Sequence, residues 1–149
     1  IYGTTGGVAE AVIRHCMPDK SRNTLRALEY SPLRGNESIR EATIPVGDRE
    51  IKLAVVHGLI NAQKLLKEID EGTAYYDLIE VMTCPNGCVG GAGQPYGLKA
   101  KKQARSAGLY ATDRSAPFKR AEYNPGVTSI LQKLTHEQRH ELLHVSYQK

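Results

Sequence analysis

Apolar positions along the chain switch between a helical and a strand period, and the switches mark its elements. Val8, Ala11, Val12 and Cys16 recur at helical spacing behind a glycine-rich entry, Ile1 to Gly7. Thr4 or Thr5 is placed to cap that helix. Pro18 should end it, because proline bars the α conformation to the residue before it. Lys20 to Asn36 is polar and reads as loop with at most a short helix. Ser38 to Pro45 and Glu50 to Val56 read as strands around the turn Gly47-Asp48. Ile51, Leu53 and Val55 alternate with Lys52 and Ala54, as in a sheet with one better-buried face. His57-Gly58 breaks the strand, and Leu59, Ala62, Leu65, Leu66 and Ile69 return to the helical period, ending near Gly72. Tyr76 to Met82 is the next strand. Strand, helix and strand of these lengths predict a parallel βαβ unit, in which sites gather at strand C-termini.

Leu98 to Tyr110 reads as a basic helix, and residues 111–123 as irregular. Asn124-Pro125 is a helix start, with Asn as cap and Pro at the first position. Val127, Ile130, Leu131 and Leu134 form its apolar face. Thr135 and Gln138 have the spacing of a capping box for a last helix, packed through Leu142, Leu143 and Val145. The fold class is α/β.

Composition narrows the function only by exclusion. Of 149 residues, 40% are hydrophobic and 24% charged, ordinary for a globular domain with a real core. A net charge of +4, with basic residues gathered only at Lys99, Lys101, Lys102 and Arg105, leaves no strong nucleic-acid footprint. No apolar run approaches membrane-spanning length, and no signal peptide is expected. Three cysteines, an odd number, point to a reducing, cytoplasmic compartment, with a periplasmic one left open. The chain opens at Ile1 inside a motif and is expected to be a fragment.

The chemistry gathers in one stretch, Glu80 to Pro95. An apolar run, Leu78 to Met82, leads into Cys84-Pro85-Asn86-Gly87-Cys88, and four glycines follow within Gly87 to Gly93. A buried strand would thus deliver two thiolates to a turn with few side chains. Small residues beside cysteines suit a bulky inorganic cluster, which needs room and backbone N–H groups aimed at its sulfurs. The CxxxC spacing alone is equally that of two buried thiols on one helix face. Zinc would lack ligands with only two cysteines. Cys16, in helical register with Val12, belongs to the core by the same pattern. The glycine loop before the first helix can cradle an anion but is neither a Walker A loop nor GxGxxG.

Several stretches together resemble the iron-only ([FeFe]) hydrogenases, in the C-terminal part of the H-cluster domain of their large subunit. They are Tyr2 to Val8, Val55-Val56-His57-Gly58, Ile79 to Pro95, Asn124-Pro125, and Leu142-Leu143-His144 with Tyr147. The family pattern is VMxCPGGCxxGGGQP. This chain departs from it at Asn86, where the family has Gly, and at Ala92 within the glycine run. Tyr2 stands where Phe is common, and Ala9 where Met is. The resemblance implies the C-terminal lobe of the hydrogenase fold: a twisted mixed or parallel sheet flanked by helices, with further helices at the C-terminus.

It also implies a cofactor, a [4Fe–4S] cube bridged to a diiron unit carrying CO, cyanide and a dithiolate (the H-cluster). By that alignment Cys84 is a cube ligand, and Cys88 is the catalytic-site cysteine that ligates the cube and bridges to the diiron unit. Met82 lines the diiron pocket. Tyr2, Gly3 and Val8 belong to the loop packed on its other side. The implied activity is reversible, heterolytic oxidation of H2 to protons and electrons. The alternatives are a hydrogenase-like protein of iron–sulfur assembly and an H2-sensing protein. The family's other two cube cysteines, its proton-relay cysteine and its cyanide-gripping lysine belong to TSCCP-like and MPCTxKK-like motifs. Neither motif occurs here. The implied partners are therefore the N-terminal hydrogenase lobe and an electron carrier such as ferredoxin. The Lys99–Arg105 face is read first as solvated, with contact to such an acidic carrier as the alternative. His136, His140 and His144, at i, i+4 and i+8, would suit a metal such as zinc; a helix end packed on the domain is the preferred reading. His57 is read as a local cap or hydrogen-bonding residue.

Overall fold

The computed structural model describes residues 1–18, 25, 28, 31–35 and 37–145. The chain forms two compact units, Ile1–Ala116 and Pro117–Lys149. In the first, α1 (Gly7–Cys16) precedes a hairpin of β1 (Ile39–Val46) and β2 (Arg49–His57). The crossover helix α2 (Leu59–Asp70), β3 (Leu78–Met82) and α3 (Lys99–Ser115) follow. The sheet order is β1-β2-β3, with β1 antiparallel and β3 parallel to β2. The mixed α/β sheet and the βαβ unit are as expected. Gly47, at φ 63°, makes the two-residue hairpin turn.

The central strand differs from its predicted one-sided burial. Leu53 to His57 are buried without a break. Leu53 and Val55 pack with Ala9, Ile13, Met17, Ala42 and Ile44 on the α1 side. Ala54 and Val56 pack with Ala62 and Leu65 of α2 on the other. A strand flanked by strands on both edges and helices on both faces has no solvent side, so the alternation predicts a distinction that packing removes. On α2 only Ala62 and Leu65 are buried, while Leu59 and Leu66 are exposed.

On α1 the buried stripe lies one residue away from the expected one. Ala9, Ile13 and Met17 enter the core, and Val8, Val12 and Cys16 are exposed. The reason is electrostatic. Glu10 and Arg14, which look like a solvent face, are both buried. Arg14 donates to Glu10 and to both Asp113 oxygens, the latter at 2.8 Å each. Arg34 donates to both Glu10 oxygens at 2.8 Å and to Asp113 at 3.2 Å, and lies 4.3 Å from the Tyr110 ring centroid. Burial is the largest influence on Arg14 and pulls its pKa down. The hydrogen bond and charge of Asp113, with the charge of Glu10, overcome it and leave the pKa raised. Two carboxylates against two guanidinium groups thus tie α1, the 31–35 segment and α3 together. The predicted loop Lys20 to Asn36 lies largely outside the described residues; of those described, Leu25, Leu28 and Leu33 are buried.

The helix read as ending at Tyr110 continues to Ser115, and a short 3-10 turn follows at Ala121–Tyr123, within the stretch read as irregular. In the second unit, α4 (Pro125–Leu131) and α5 (His136–Leu143) start where expected. The Asn124 side chain accepts the Gly126 N–H at 3.0 Å. Thr135 and Gln138 exchange the two bonds of a capping box, 2.9 and 3.2 Å. The packing expected of Leu142, Leu143 and Val145 is absent, since all three are exposed. Tyr147 lies outside the described residues.

Candidate functional site

The cysteine loop begins at the C-terminal edge of the parallel pair. Met82, the last residue of β3, lies opposite His57 in register, and its carbonyl accepts the Gly58 N–H at 2.8 Å. The chain then turns on itself. The Gly87 N–H donates to the Cys84 carbonyl at 3.0 Å, and a 3-10 turn spans Cys88–Gly90. Gly90, Gly91 and Gln94 donate back to Gly87, Cys88 and Gly91 at 3.0–3.1 Å. Neither thiol is packed into an interior. Cys84 is half-buried, and Cys88 is exposed. A Cβ on Gly91 would stand 3.4 Å from the Cys84 sulfur, so bare backbone flanks that thiol.

A second loop, Tyr2 to Gly6, is sewn to the first. The Thr5 N–H donates to the Asn86 carbonyl at 3.2 Å, and the Val89 N–H to the Gly3 carbonyl at 3.1 Å. At Gly87, φ is 85° and a Cβ would lie 2.8 Å from the Thr5 nitrogen, so only glycine fits there. Asn86 has φ 66°, a left-handed conformation that asparagine tolerates better than most side chains. Its departure from the family glycine is therefore conservative for the backbone.

Thr4 and Thr5 do not cap α1. Gly6 is the N-cap, and no local side chain serves it. The acceptor comes from the sheet. Glu80 of β3, buried, takes the Gly6 N–H at 2.6 Å and the Ala9 N–H at 2.7 Å. The anion cradled by this glycine loop is thus the protein's own carboxylate. Arg40 of β1 and Glu80 pair in register with the same residue of β2, Val55. The Arg40 guanidinium donates to the carbonyls of Thr5 (2.8 Å), Leu33 (3.0 Å), Gly35 (3.1 Å) and Glu37 (2.8 Å). Burial pulls its pKa below the ordinary value, against the opposing influence of Tyr110 and Glu80.

Of the residues expected at the site, the structure joins Gly3 to the cysteine loop and sets Met82 at its start. Gly3 and Met82 are half-buried, while Tyr2 and Val8 are exposed. His57 is buried. Its backbone bonds locally, accepting from Asn61 at 2.9 Å, and its ring Nδ1 has no hydrogen-bond partner. Burial, and then Arg40, lower its pKa. Three positions escaped the pattern. Glu80 stands as the one charge in an apolar run, a signal available in the sequence. Arg40 and Arg105 carry no local signal. The Lys99–Arg105 face is only partly solvated, because Arg105 is bonded to the loop.

Among the described residues no group of three or more His, Cys, Asp or Glu converges as a metal site, the tail histidines included. The two thiols on a glycine turn fit half of the four-thiolate set that a cube requires.

Comparison with known proteins bears on the same segments. A family model described as the iron only hydrogenase large subunit, C-terminal domain, matches residues 1–92. A second, the iron hydrogenase small subunit, matches residues 99–149. The chain is 38% identical to HndD of Solidesulfovibrio fructosivorans, part of an NADP-reducing hydrogenase, over 100% of its own length and 26% of that protein. It is 33% identical to cytosolic iron-sulfur assembly component 3 of Mus musculus, over 97% of this chain and 31% of that one. A solved structure of a variant of the [FeFe]-hydrogenase HydA1 from Chlamydomonas reinhardtii superposes with TM-score 0.73 at 31% identity, covering 99% of this chain and 45% of that one. The chain therefore spans about a quarter of the first curated relatives and under half of the solved ones.

Proposed function

Because the chain belongs to the iron-only hydrogenase family, we propose that it is the C-terminal lobe of a hydrogenase catalytic domain. In this reading it supplies half the thiolates of an H-cluster. The observation that carries the proposal is the joined pair of loops: Cys84 and Cys88 on a bare glycine turn, sewn to Gly3 and Thr5 by two backbone bonds.

Cys84 and Cys88 bind iron as thiolates, the ligands such clusters take. When bound, the cofactor supplies the chemistry that interconverts H2 with protons and electrons. Met82, Val8 and Tyr2 would present apolar surface to it and keep water away. Glu80 and Arg40 fix the position of the Tyr2–Gly6 loop through its N–H and carbonyl groups. The remaining thiolates come from an N-terminal lobe. Exposed Lys99 and Lys101 offer positive charge to an acidic electron carrier of ferredoxin type, in the cytoplasm.

A second reading, iron–sulfur assembly without catalysis, is supported by the likeness to the mouse assembly component over nearly the whole chain. One experiment separates them. The chain is joined to the N-terminal half its relatives carry, reconstituted anaerobically, and assayed for iron and for H2 evolution from reduced methyl viologen. The expected result is a cluster with H2 evolution that falls about 100-fold or more in Cys88→Ser. A cluster without H2 evolution favours assembly. A cluster indifferent to both Cys84→Ser and Cys88→Ser refutes both readings.

A further inference from the structure

The first half of the cysteine loop is held by its own short-range turns and by the two backbone bonds to Gly3 and Thr5, and its second half is bare. Ala92 to Pro95 are exposed, and Gly93 has nothing within 4 Å of where a side chain would begin. A further tie from outside, the one that reaches the bare half, comes from α3. Arg105 Nη1 donates to the Val89 carbonyl at 3.0 Å, and Nη2 to the Pro95 carbonyl at 2.6 Å. One planar guanidinium thus bridges the peptide just after Cys88 and the peptide that closes the glycine run. A rigid fork sets the separation of the two carbonyls it grips, which a flexible ammonium does not. The fork stands on a fixed base. Asp113 bonds α3 to Arg14 and Arg34, and Leu109 lies against Gly3, where a Cβ would stand 2.9 Å from its methyl.

We propose that Arg105 is a positioning residue for the metal loop, setting where Cys84 and Cys88 present their sulfurs. It follows that α3, the first element of the segment similar to hydrogenase small subunits, is part of the site and not only its neighbour. The functional meaning rests on the reading of Cys84 and Cys88 as cluster ligands; the clamp itself rests on geometry alone.

The test uses the full chain without iron, so it does not depend on the hydrogenase reading. Hydrogen exchange is followed at Gly90, Gly91 and Gln94. Alkylation of half-buried Cys84 is measured against exposed Cys16 as internal reference. In Arg105→Gln, which replaces the two-nitrogen fork with one NH2 group on a shorter side chain, exchange in the loop rises about ten-fold and the Cys84 to Cys16 rate ratio about five-fold. Arg105→Lys falls between this and the parent chain. Exposed Arg114→Gln changes neither, and exchange at Leu53 to Val56 stays constant throughout. Unchanged loop exchange and Cys84 reactivity in Arg105→Gln overturn the proposal. So does an equal rise at Leu53 to Val56, which would make Arg105 a general stabiliser. Failure of the H2 assay with a clamped loop would count against the hydrogenase reading alone.

Discussion

Replacing Glu80 with alanine is expected to destabilise the first unit by about 3–5 kcal/mol. The carboxylate accepts the Gly6 N–H at 2.6 Å and the Ala9 N–H at 2.7 Å, both buried. Orphaning a buried donor costs about 1–3 kcal/mol, so two cost about 2–6. Loss of a negative charge at a buried helix N-terminus adds up to about 2 kcal/mol, partly counted already in those bonds. Arg40, itself buried, loses a compensating charge as well. Relaxation of the loop and entry of water recover some of this, which brings the sum to the middle of the range. Against a total stability of about 5–15 kcal/mol for a domain, that is a large fraction. Glu80→Gln keeps one oxygen acceptor but turns an NH2 group toward the other donor, and should lose about half as much. The assay is urea unfolding followed by far-ultraviolet dichroism and by tyrosine fluorescence, which eight Tyr and no Trp make clean. Glu80→Ala within about 1 kcal/mol of the parent chain would refute the cap. So would Glu80→Gln proving the weaker of the two.

Two further perturbations probe neighbouring parts of the same site. His57 is held below its ordinary 6.5 by burial and then by Arg40, so the folded chain prefers the neutral ring. Between the depressed value and 6.5 the unfolded chain binds more protons, so stability is full above about 6.5 and falls as pH drops below it. Urea midpoints should show that loss, and His57→Gln should flatten it; a slope unchanged in His57→Gln would assign the effect to other groups. Gly87→Ala places a Cβ 2.8 Å from the Thr5 nitrogen and 2.9 Å from the Gly3 carbonyl oxygen, at φ 85°. It should cost about 2–3 kcal/mol and release the protection of the Thr5 and Val89 amides, whereas Asn86→Gly should stay within about 1 kcal/mol of the parent.

Local signals survived folding, and long-range ones could not be read. The Gly47-Asp48 turn, the Asn124 cap and the Thr135–Gln138 box each lie within a few residues of their partners, and the βαβ order follows from the succession of strand and helix periods along the chain. The cysteine loop was legible for the same reason, since CxxxC and its glycines are contiguous. On α1, by contrast, two apolar stripes compete, Val8–Val12–Cys16 and Ala9–Ile13–Met17. What selects the second is the burial of Glu10 and Arg14, which depends on Asp113, 99 residues from Arg14 in sequence. Glu80 finds its donors 74 and 71 residues away, so nothing local could have displaced Thr4 and Thr5 as caps. The tail helices show the same division. Their caps were readable, while their apolar faces meet no buried partner, for no apolar side chain is buried among the described residues of the second unit.

The family models and the folded chain divide at different places, and buried ion pairs join the two matched segments. The models part between residues 92 and 99, ahead of α3, whereas the compact unit runs through Ala116. Asp113 is one of the residues that hold α3 to the rest of that unit. Among the described residues it joins Glu10 in a buried cluster with the Arg14 and Arg34 guanidinium groups. Without α3 that cluster would lose one of its carboxylates, and removing one partner of a buried ion pair costs about 3–5 kcal/mol. Arg105 would leave with it, freeing the Val89 and Pro95 carbonyls. A segment matching the small-subunit model thus carries, in its first helix, the countercharge that the large-subunit-like part needs to keep its own α1 buried. Whether that helix arrives on the same chain or on a separate one, its Asp113 carboxylate is part of what holds Arg14, and with it α1, in place.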